Sequence, residues 1–311
     1  MQLINKNHRP DNKPLVATIG FFDGVHIGHR FLIEQVKREA ELRSLPSAVI
    51  TFPVHPRKVL QSDYQPALLC GFDEKTSRLA SLDIDYCISL DFTVEISEMS
   101  AYEFMRDVLK EKLNVDTLLI GYDHRFGHNR EDGFEDYKRY GEELGINVIQ
   151  AQEFDGGEHV SSSRIRQLLA EGDVTEAARL LSYNYTISGK IVEGFKVGRT
   201  IGFPTANIEV WERYKVIPAF GVYAVYVYIE GQKFGGMLYI GNRPTLHNGQ
   251  NTSVEVNLFN FDGDLYNRDL TAEFLEFVRA DEKFENIEQL RVQIQRDKDS
   301  VMNVIEKLRN C

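Results

Sequence analysis

Cysteine is scarce: three in 311 residues, Cys70, Cys87 and Cys311, far apart and with no C-x-x-C pair. That spacing indicates neither a disulfide framework nor a cysteine-ligated zinc site, and it predicts a reducing compartment. Long apolar runs are missing too. The longest, around Val222 to Ile229, falls far short of a membrane span. The opening MQLINKNHRPDNKP is polar, with no apolar stretch of the kind that directs secretion, so a cytoplasmic protein without a membrane partner is expected. Positive charge is outweighed: 36 Lys and Arg stand against 47 Asp and Glu, a formal net charge of −11 concentrated before residue 183. Such a chain lacks the electrostatic footprint of a nucleic-acid binder, so an anionic ligand would have to be met by locally placed cations and helix N-termini. No internal repeat or low-complexity tract is visible.

The composition itself, 42% hydrophobic and 27% charged, is that of a globular protein, and the length allows about two domains. Residues 14 to 180 alternate short apolar runs (PLVATIGFF, SAVITF, TLLIGY, INVIQA) with amphipathic stretches such as HRFLIEQVKREAELR and AYEFMRDVLKEKL. This β-α-β rhythm predicts an α/β, Rossmann-like domain with a parallel sheet covered on both faces, whose ligands sit beyond the carboxyl ends of the strands. From about Tyr183 the period becomes two, in TISGKIVEG, VYAVYVYIEG, KFGGMLYIG, TSVEVNLFNF and LTAEFLEFV, which predicts a small antiparallel β-barrel or sandwich. A terminal helix follows, with Ile287, Leu290, Ile294, Val301, Ile305 and Leu308 on one face. The expected domains are 1–182 and 183–311.

Three segments of the first domain combine chemistry with position. After strand VATIG comes Phe21-Phe22-Asp23-Gly24-Val25-His26-Ile27-Gly28-His29, then a helix. Two histidines three apart at a helix N-terminus can donate to phosphate oxygens beside the free backbone N–H groups; alternatively the glycines merely make a tight turn and the histidines are surface groups. Further on, Ser161, Ser162, Ser163, Arg164 and Arg166 open another helix, either a second phosphate cradle or a plain serine cap with solvated arginines. Between them GYDHRFG places Asp123, His124, Arg125 and Gly127 in a glycine-containing loop after a strand. The coincidence of all three at strand ends or helix starts favours an anion site.

In the second domain GFKVGRTIGFPTANI supplies Gly194, Gly198 and Gly202 for a flexible loop and Arg199 for a phosphate. Thr205 and Asn207, two apart in an extended segment, point the same way and could share a magnesium ion carried on ATP, or simply face solvent. Glu255 sits between Val254 and Val256 in an alternating strand, as solvent face or as a base.

H-x-G-H with a later S-S-[ST]-x-I-R resembles the nucleotidylyltransferase superfamily. More narrowly, GFFDGVHIGH, TFPVHP, GYDHRFG and SSSRIR in this order resemble the FMN adenylyltransferase half of prokaryotic bifunctional riboflavin kinase/FAD synthetases, over most of residues 14 to 181. GRTIGFPTANI, the VEV strand and the DGDLY turn are similar to riboflavin kinase along residues 183 to 311. The resemblance implies riboflavin plus ATP to FMN plus ADP in the barrel, then FMN plus ATP to FAD plus pyrophosphate in the α/β domain, both with Mg²⁺. It implies catalytic roles for Glu255 (general base), His26, His29 and Arg166, and ATP or phosphate binding by Gly20, Phe22, Asp23, Gly28, Asp123, Arg125, Ser162, Ser163, Gly198 and Arg199. Phe52, His55 and Pro56 would adjoin the flavin, and Thr205 and Asn207 the metal. The implied partners are small molecules (riboflavin, FMN, ATP), with no nucleic acid or membrane and a monomer or weak homo-oligomer. The chain departs from the family pattern at Phe21, Pro53, Ser163 and Asn267. Ser163 keeps a hydroxyl, Asn267 suits a left-handed turn in place of glycine, and Phe21 and Pro53 each remove a polar group near the expected site. A monofunctional riboflavin kinase with an inactive or regulatory first domain is the alternative.

Overall fold

The computed structural model describes residues 1–5, 12–61, 63–122, 124–128, 131–157, 160–193, 202–242, 252–263 and 265–310. They form two compact units, 1–162 and 163–311. In the first, strands β1 (Gln2–Asn5), β2 (Leu15–Ile19), β3 (Ser47–Thr51), β4 (Tyr86–Ser89), β5 (Val115–Ile120) and β6 (Asn147–Gln150) make one sheet in the order β1-β4-β3-β2-β5-β6. Every pairing is parallel. The intervening helices are α1 (Ile27–Arg43), α2 (Pro56–Leu60), α3 (Phe72–Ala80), α4 (Val94–Glu98), α5 (Ala101–Glu103), which runs on as a π-helical stretch over Phe104–Lys112, and α6 (Phe134–Leu144).

All residues of β2 and β3 are buried, which is why these strands read as unbroken apolar runs. Along β2, Leu15, Ala17 and Ile19 join the core on one face of the sheet, while Val16 joins a cluster with Val36, Ala40 and Leu119. β1 and β4 carry no such signal; β1 is a four-residue edge strand with Gln2 and Leu3 exposed and Ile4 buried, and it is recognisable only by its pairing with β4. The strand order reverses at β2, with β3 and β4 on one side and β5 and β6 on the other. A ligand crevice is therefore expected beyond the carboxyl ends of β2 and β5.

The second unit takes in α7 (Ser162–Glu171), apart from its first residue, and α8 (Val174–Leu181). It continues with β7 (Thr186–Val192), β8 (Ala206–Val210), β9 (Gly221–Ile229), β10 (Gln232–Asn242), β11 (Thr252–Leu258), β12 (Asp269–Ala280) and α9 (Ile287–Arg309). The six strands close into an antiparallel barrel, ordered β10-β11-β8-β7-β12-β9. The sequence rhythm changes near 183, but the units divide at 162/163. The α7–α8 pair folds with the barrel: the Ala219 N–H donates to the Leu169 carbonyl and the Thr175 hydroxyl to that of Leu275. Helical periodicity reveals a buried face, not which neighbour buries it.

α9 packs on the barrel against Val222, Ala224, Met237 and Leu275 through Val301 and Ile305, with Ile294 partly buried. Ile287 and Leu308, expected on the same face, are about half exposed at the two ends. The buried stripe instead includes Asp297.

Candidate active sites

Beyond β2 the chain turns through Phe22, Gly24 and Val25, all with positive φ (53°, 81° and 42°). Two of these are not glycine, a strained backbone of the kind found where a loop is over-determined by its surroundings. The turn delivers His26 as the N-cap of α1, its Nδ1 accepting from the His29 N–H at 3.4 Å. The two imidazoles stack at 3.6 Å, and the Phe22 ring stands edge-on to His29 at 5.1 Å. Gly28 lies beneath the His26 ring, where a Cβ would sit 3.4 Å from it; Gly20, just past β2, lies against the Phe22 ring. Burial holds the His29 imidazole well below its ordinary pKa, reinforced by the charges of His26, Lys75 and His124. His29 is therefore a neutral ring at pH 7, and its Nδ1 is buried without a hydrogen-bond partner among the described residues.

Asp23 within the loop, and Cys70 and Lys75 from far away in sequence, brace this turn. Asp23 is buried, and its carboxylate accepts from the backbone N–H groups of Leu69 and Cys70 at 2.9–3.2 Å. Cys70 Sγ in turn accepts from the Gly24 N–H at 3.1 Å. Lys75, 2% exposed on α3, donates from Nζ to the carbonyls of Phe21 and Phe52, both at 2.9 Å. Its ammonium lies 4.1 Å from the Phe21 ring centroid, and burial pulls its pKa down to about 8. Lys75 and Cys70 escaped the sequence reading. The available signal for Lys75 was a lysine four positions before Leu79, on the buried face of a short helix.

The other residues expected of the first domain lie on further loops and helices or outside the described residues. His55 caps α2 by accepting from the Arg57 N–H, with Pro56 at the first helical position. Its ring meets Phe21 at 4.7 Å and Tyr64 at 5.4 Å. The Phe52 side chain is part of the core, edge-on to Phe92. His124 and Arg125 line a cavity of about 380 Å³ with Gly121, Tyr122, Phe134 and Gln150, at the carboxyl end of β5 and the start of α6. Tyr137 anchors that loop: its hydroxyl bonds the N–H and carbonyl of Phe126 and the carbonyl of Asp132. Gly127, at φ 89°, passes so close to Ala101 that a Cβ would meet its backbone N at 2.7 Å. Within the first unit, Ser162 Oγ donates to the Asp23 carbonyl at 3.0 Å. Ser163 and Arg166 follow in the first two turns of α7. Asp123 lies outside the described residues.

In the barrel, β8 and β11 pair with Glu255 opposite Asn207. That register gathers the polar residues. Thr205 Oγ1 donates to Glu255 Oε2 at 3.2 Å, and Ser253 Oγ to Oε1 at 2.9 Å, with Asn207 Oδ1 3.4 Å from the same hydroxyl. Asn257, next along the same face of β11, donates to the Pro204 carbonyl at 2.6 Å. Glu255 and Thr205 open into a cavity of about 290 Å³ whose walls include Phe203, Val222, Met237 and Phe284. Arg279 and the buried Asp297 close its α9 side through Nε and Nη2 contacts of 2.8–3.0 Å, with Gln293 also donating to Asp297. Pairing of β12 with β9 slips between Phe277 and Arg279, so strict alternation fails there. Arg279 reaches α9, whereas Phe277 packs edge-on against Tyr223. Ser253, Arg279 and Asp297 were not anticipated. Gly198 and Arg199 lie outside the described residues. Asn267 takes φ 61°, the left-handed turn expected of it. A cluster of oxygen atoms around one carboxylate, facing a mostly apolar cavity, suits a hydrated divalent cation and a base for a hydroxyl substrate.

The FAD synthetase family model matches residues 8–164 and the riboflavin kinase family model residues 181–305. The bifunctional riboflavin kinase/FMN adenylyltransferase of Escherichia coli (strain K12) is 38% identical, covering 96% of each chain. Those of Listeria monocytogenes and Bacillus subtilis are 35% and 34% identical, each over 94% of this chain and 93% of the relative. A crystal structure described as a macrolide-efflux protein from Streptococcus pneumoniae has the same fold, with a TM-score of 0.85 at 30% identity over 97% of this chain and 99% of that one. Among the described residues no helix is long and apolar enough to cross a membrane. With one family model on each half and relatives aligned along nearly their whole length, the chain belongs to the bifunctional riboflavin kinase/FMN adenylyltransferase family.

Proposed function

We propose that this chain converts riboflavin to FAD in two steps, using the barrel for phosphorylation and the α/β unit for adenylylation. The observation that carries the reading is that the two halves, matched by two different families, each gather their own polar cluster: the histidine pair at the head of α1, and Glu255 with Thr205, Asn207 and Ser253. The functional division we assign is 1–182 and 183–311. A kinase whose first half is inactive is disfavoured by the intact histidine pair and by relatives named for both activities.

In the kinase step the 5′-hydroxyl of the ribityl chain attacks the γ-phosphorus of ATP, and the bond to the β–γ bridging oxygen breaks to release ADP. Glu255 accepts the hydroxyl proton. Ser253 and Thr205 fix the direction of the carboxylate, and the apolar walls of the 290 Å³ cavity take the flavin ring. Thr205 Oγ1 and Asn207 Oδ1 are oxygen donors of the type Mg²⁺ selects, and would hold it with ATP; Gly198 and Arg199 would meet the phosphates. When bound, the cation neutralises charge on the transferring phosphoryl group.

In the adenylyl step a phosphate oxygen of FMN attacks the α-phosphorus of ATP, and pyrophosphate leaves. The nucleophile is already ionised, so the residues orient and stabilise. His26, His29 and the N-terminus of α1 face the phosphates, with Gly28 permitting close approach and Ser162, Ser163 and Arg166 forming a second cradle. Asp23 acts by bracing the loop through Leu69 and Cys70. Gly20 and Phe22 shape the turn, Arg125 holds the nucleotide beside the 380 Å³ cavity with Asp123 assigned to the same nucleotide, and His55 and Pro56, backed by Phe52, frame the flavin side. The protein acts in the cytoplasm as a monomer or weak homo-oligomer, on small molecules, without nucleic acid or membrane.

A time course with riboflavin and Mg–ATP, resolving riboflavin, FMN and FAD by chromatography, tests the reading. Transient FMN followed by FAD is the expected result. FMN that accumulates without FAD, even when FMN is supplied, would refute the second step; no flavin product would refute both.

A further inference from the structure

Lys75 has no part in the steps above, yet it is one of the most deeply buried charged side chains described, 2% exposed. Two of its three donors are used on backbone carbonyls that leave adjacent strands: Phe21, just past β2, and Phe52, just past β3. Those strand ends lead into the histidine loop and the His55 loop. The Phe21 ring covers the ammonium at 4.1 Å and meets the His55 ring at 4.7 Å, so Lys75, Phe21 and His55 form one contact chain between the loops. We propose that Lys75 is a positioning residue of the adenylyl-transfer site, whose buried ammonium locks the two strand-end loops in register and supplies a fixed positive charge behind the histidine pair.

A purely structural account meets two difficulties. Two carbonyls need two donors, which an uncharged amine or amide would supply without burying an ion. The charge also opposes folding. Burial lowers the Lys75 pKa from 10.5 to about 8, so between those values the unfolded chain holds a proton that the folded chain has released. Stability therefore rises with pH through that window, and at pH 7 the whole cost of burying the ammonium is present. The charged form, in contrast, acts on the site: it is among the causes that hold His29 neutral. The titratable groups facing Lys75 are Asp23 on the β2 loop, Cys70 before α3 and Cys87 on β4, with His29 on α1. Of these Cys87 is pushed up to about 11 by burial, so the thiol stays protonated while Lys75 titrates.

Deprotonation separates the charge from the clamp, because a neutral amine still has two N–H groups for the two carbonyls. The inference rests on the adenylyl-transfer reading, and riboflavin phosphorylation by the same preparation serves as the internal reference. The test is kcat/KM for FMN adenylylation from pH 6.5 to 9.5 in the full-length wild-type chain and in Lys75→Met, with melting temperatures of both. In the wild type kcat/KM, which reports the free enzyme, falls about tenfold per pH unit above a midpoint near 8, and the kinase rate does not share that step. In Lys75→Met adenylylation at pH 7 is roughly 30- to 100-fold lower and the step at pH 8 is gone, while the melting point stays within a few degrees. A Lys75→Met chain that keeps wild-type kcat/KM, or loses activity uniformly and retains the step, overturns the inference. If the variant does not fold, the wild-type profile decides: FAD formed with no step near pH 8 overturns it. A wild-type chain that makes no FAD at any pH overturns the functional reading itself.

Discussion

In the α/β unit the polar groups of interest leave strand ends on loops, whereas in the barrel they stand within paired strands. His26 and His29 owe their place to a turn with three positive-φ residues, and that turn is braced by its own Asp23, by Cys70 just before α3 and by Lys75 on α3. Glu255, Ser253 and Asn207 are placed by the β8–β11 ladder, where a register shift of one residue would turn Glu255 and Ser253 together away from Asn207. A loop site needs buried polar braces; a ladder site has its backbone bonds as braces already.

That contrast predicts variants whose effects stay within one unit. The largest is Glu255→Gln: kcat for riboflavin phosphorylation falls by ~10³, while adenylylation of supplied FMN is unchanged. Equal loss of both activities would break the separation. Next comes Asp297→Ala, which strands the Arg279 guanidinium against α9 and is expected to lower stability by about 3 kcal/mol in denaturant unfolding, with a raised KM for riboflavin. His29→Ala reduces adenylylation by ~10²-fold with kinase kcat intact, as measured by FAD formed from FMN. The smallest is Ser253→Ala: one hydroxyl fewer directs Glu255, which lowers kinase kcat by roughly 10-fold with no change in the melting of the first unit.

Much of the architecture was legible because burial writes itself into hydropathy. β2, β3 and β5 are covered on both faces and appear as apolar runs; β9 to β12 show the period of a barrel wall. The histidine pair and the Thr205–Asn207–Glu255 set were legible because they combine reactive groups with strand or helix ends, and family resemblance ranked them above surface decoration. β1 was not legible, being a short edge strand that exists through its partner. On the buried face of α9 Ile294, Val301 and Ile305 were legible but Asp297 was not: its charge is matched by Arg279 from β12, a pairing that no local pattern encodes. Lys75 and Cys70 escaped for the same reason, since each acts on backbone groups more than twenty residues away in the chain.

The two kinds of fold, the approximate change of rhythm between them and the residue types available for phosphate, metal and base are written in the order of the amino acids, since these depend on local periodicity and composition. Which of those residues meet is set by the folded chain: α7 and α8 fold with the barrel, Thr205 and Ser253 hold Glu255, and a lysine on α3 ties together the ends of β2 and β3. Hydrogen bonds and desolvation act over a few ångströms in space whatever the separation along the chain, so a buried charge becomes intelligible only when its partners are in view.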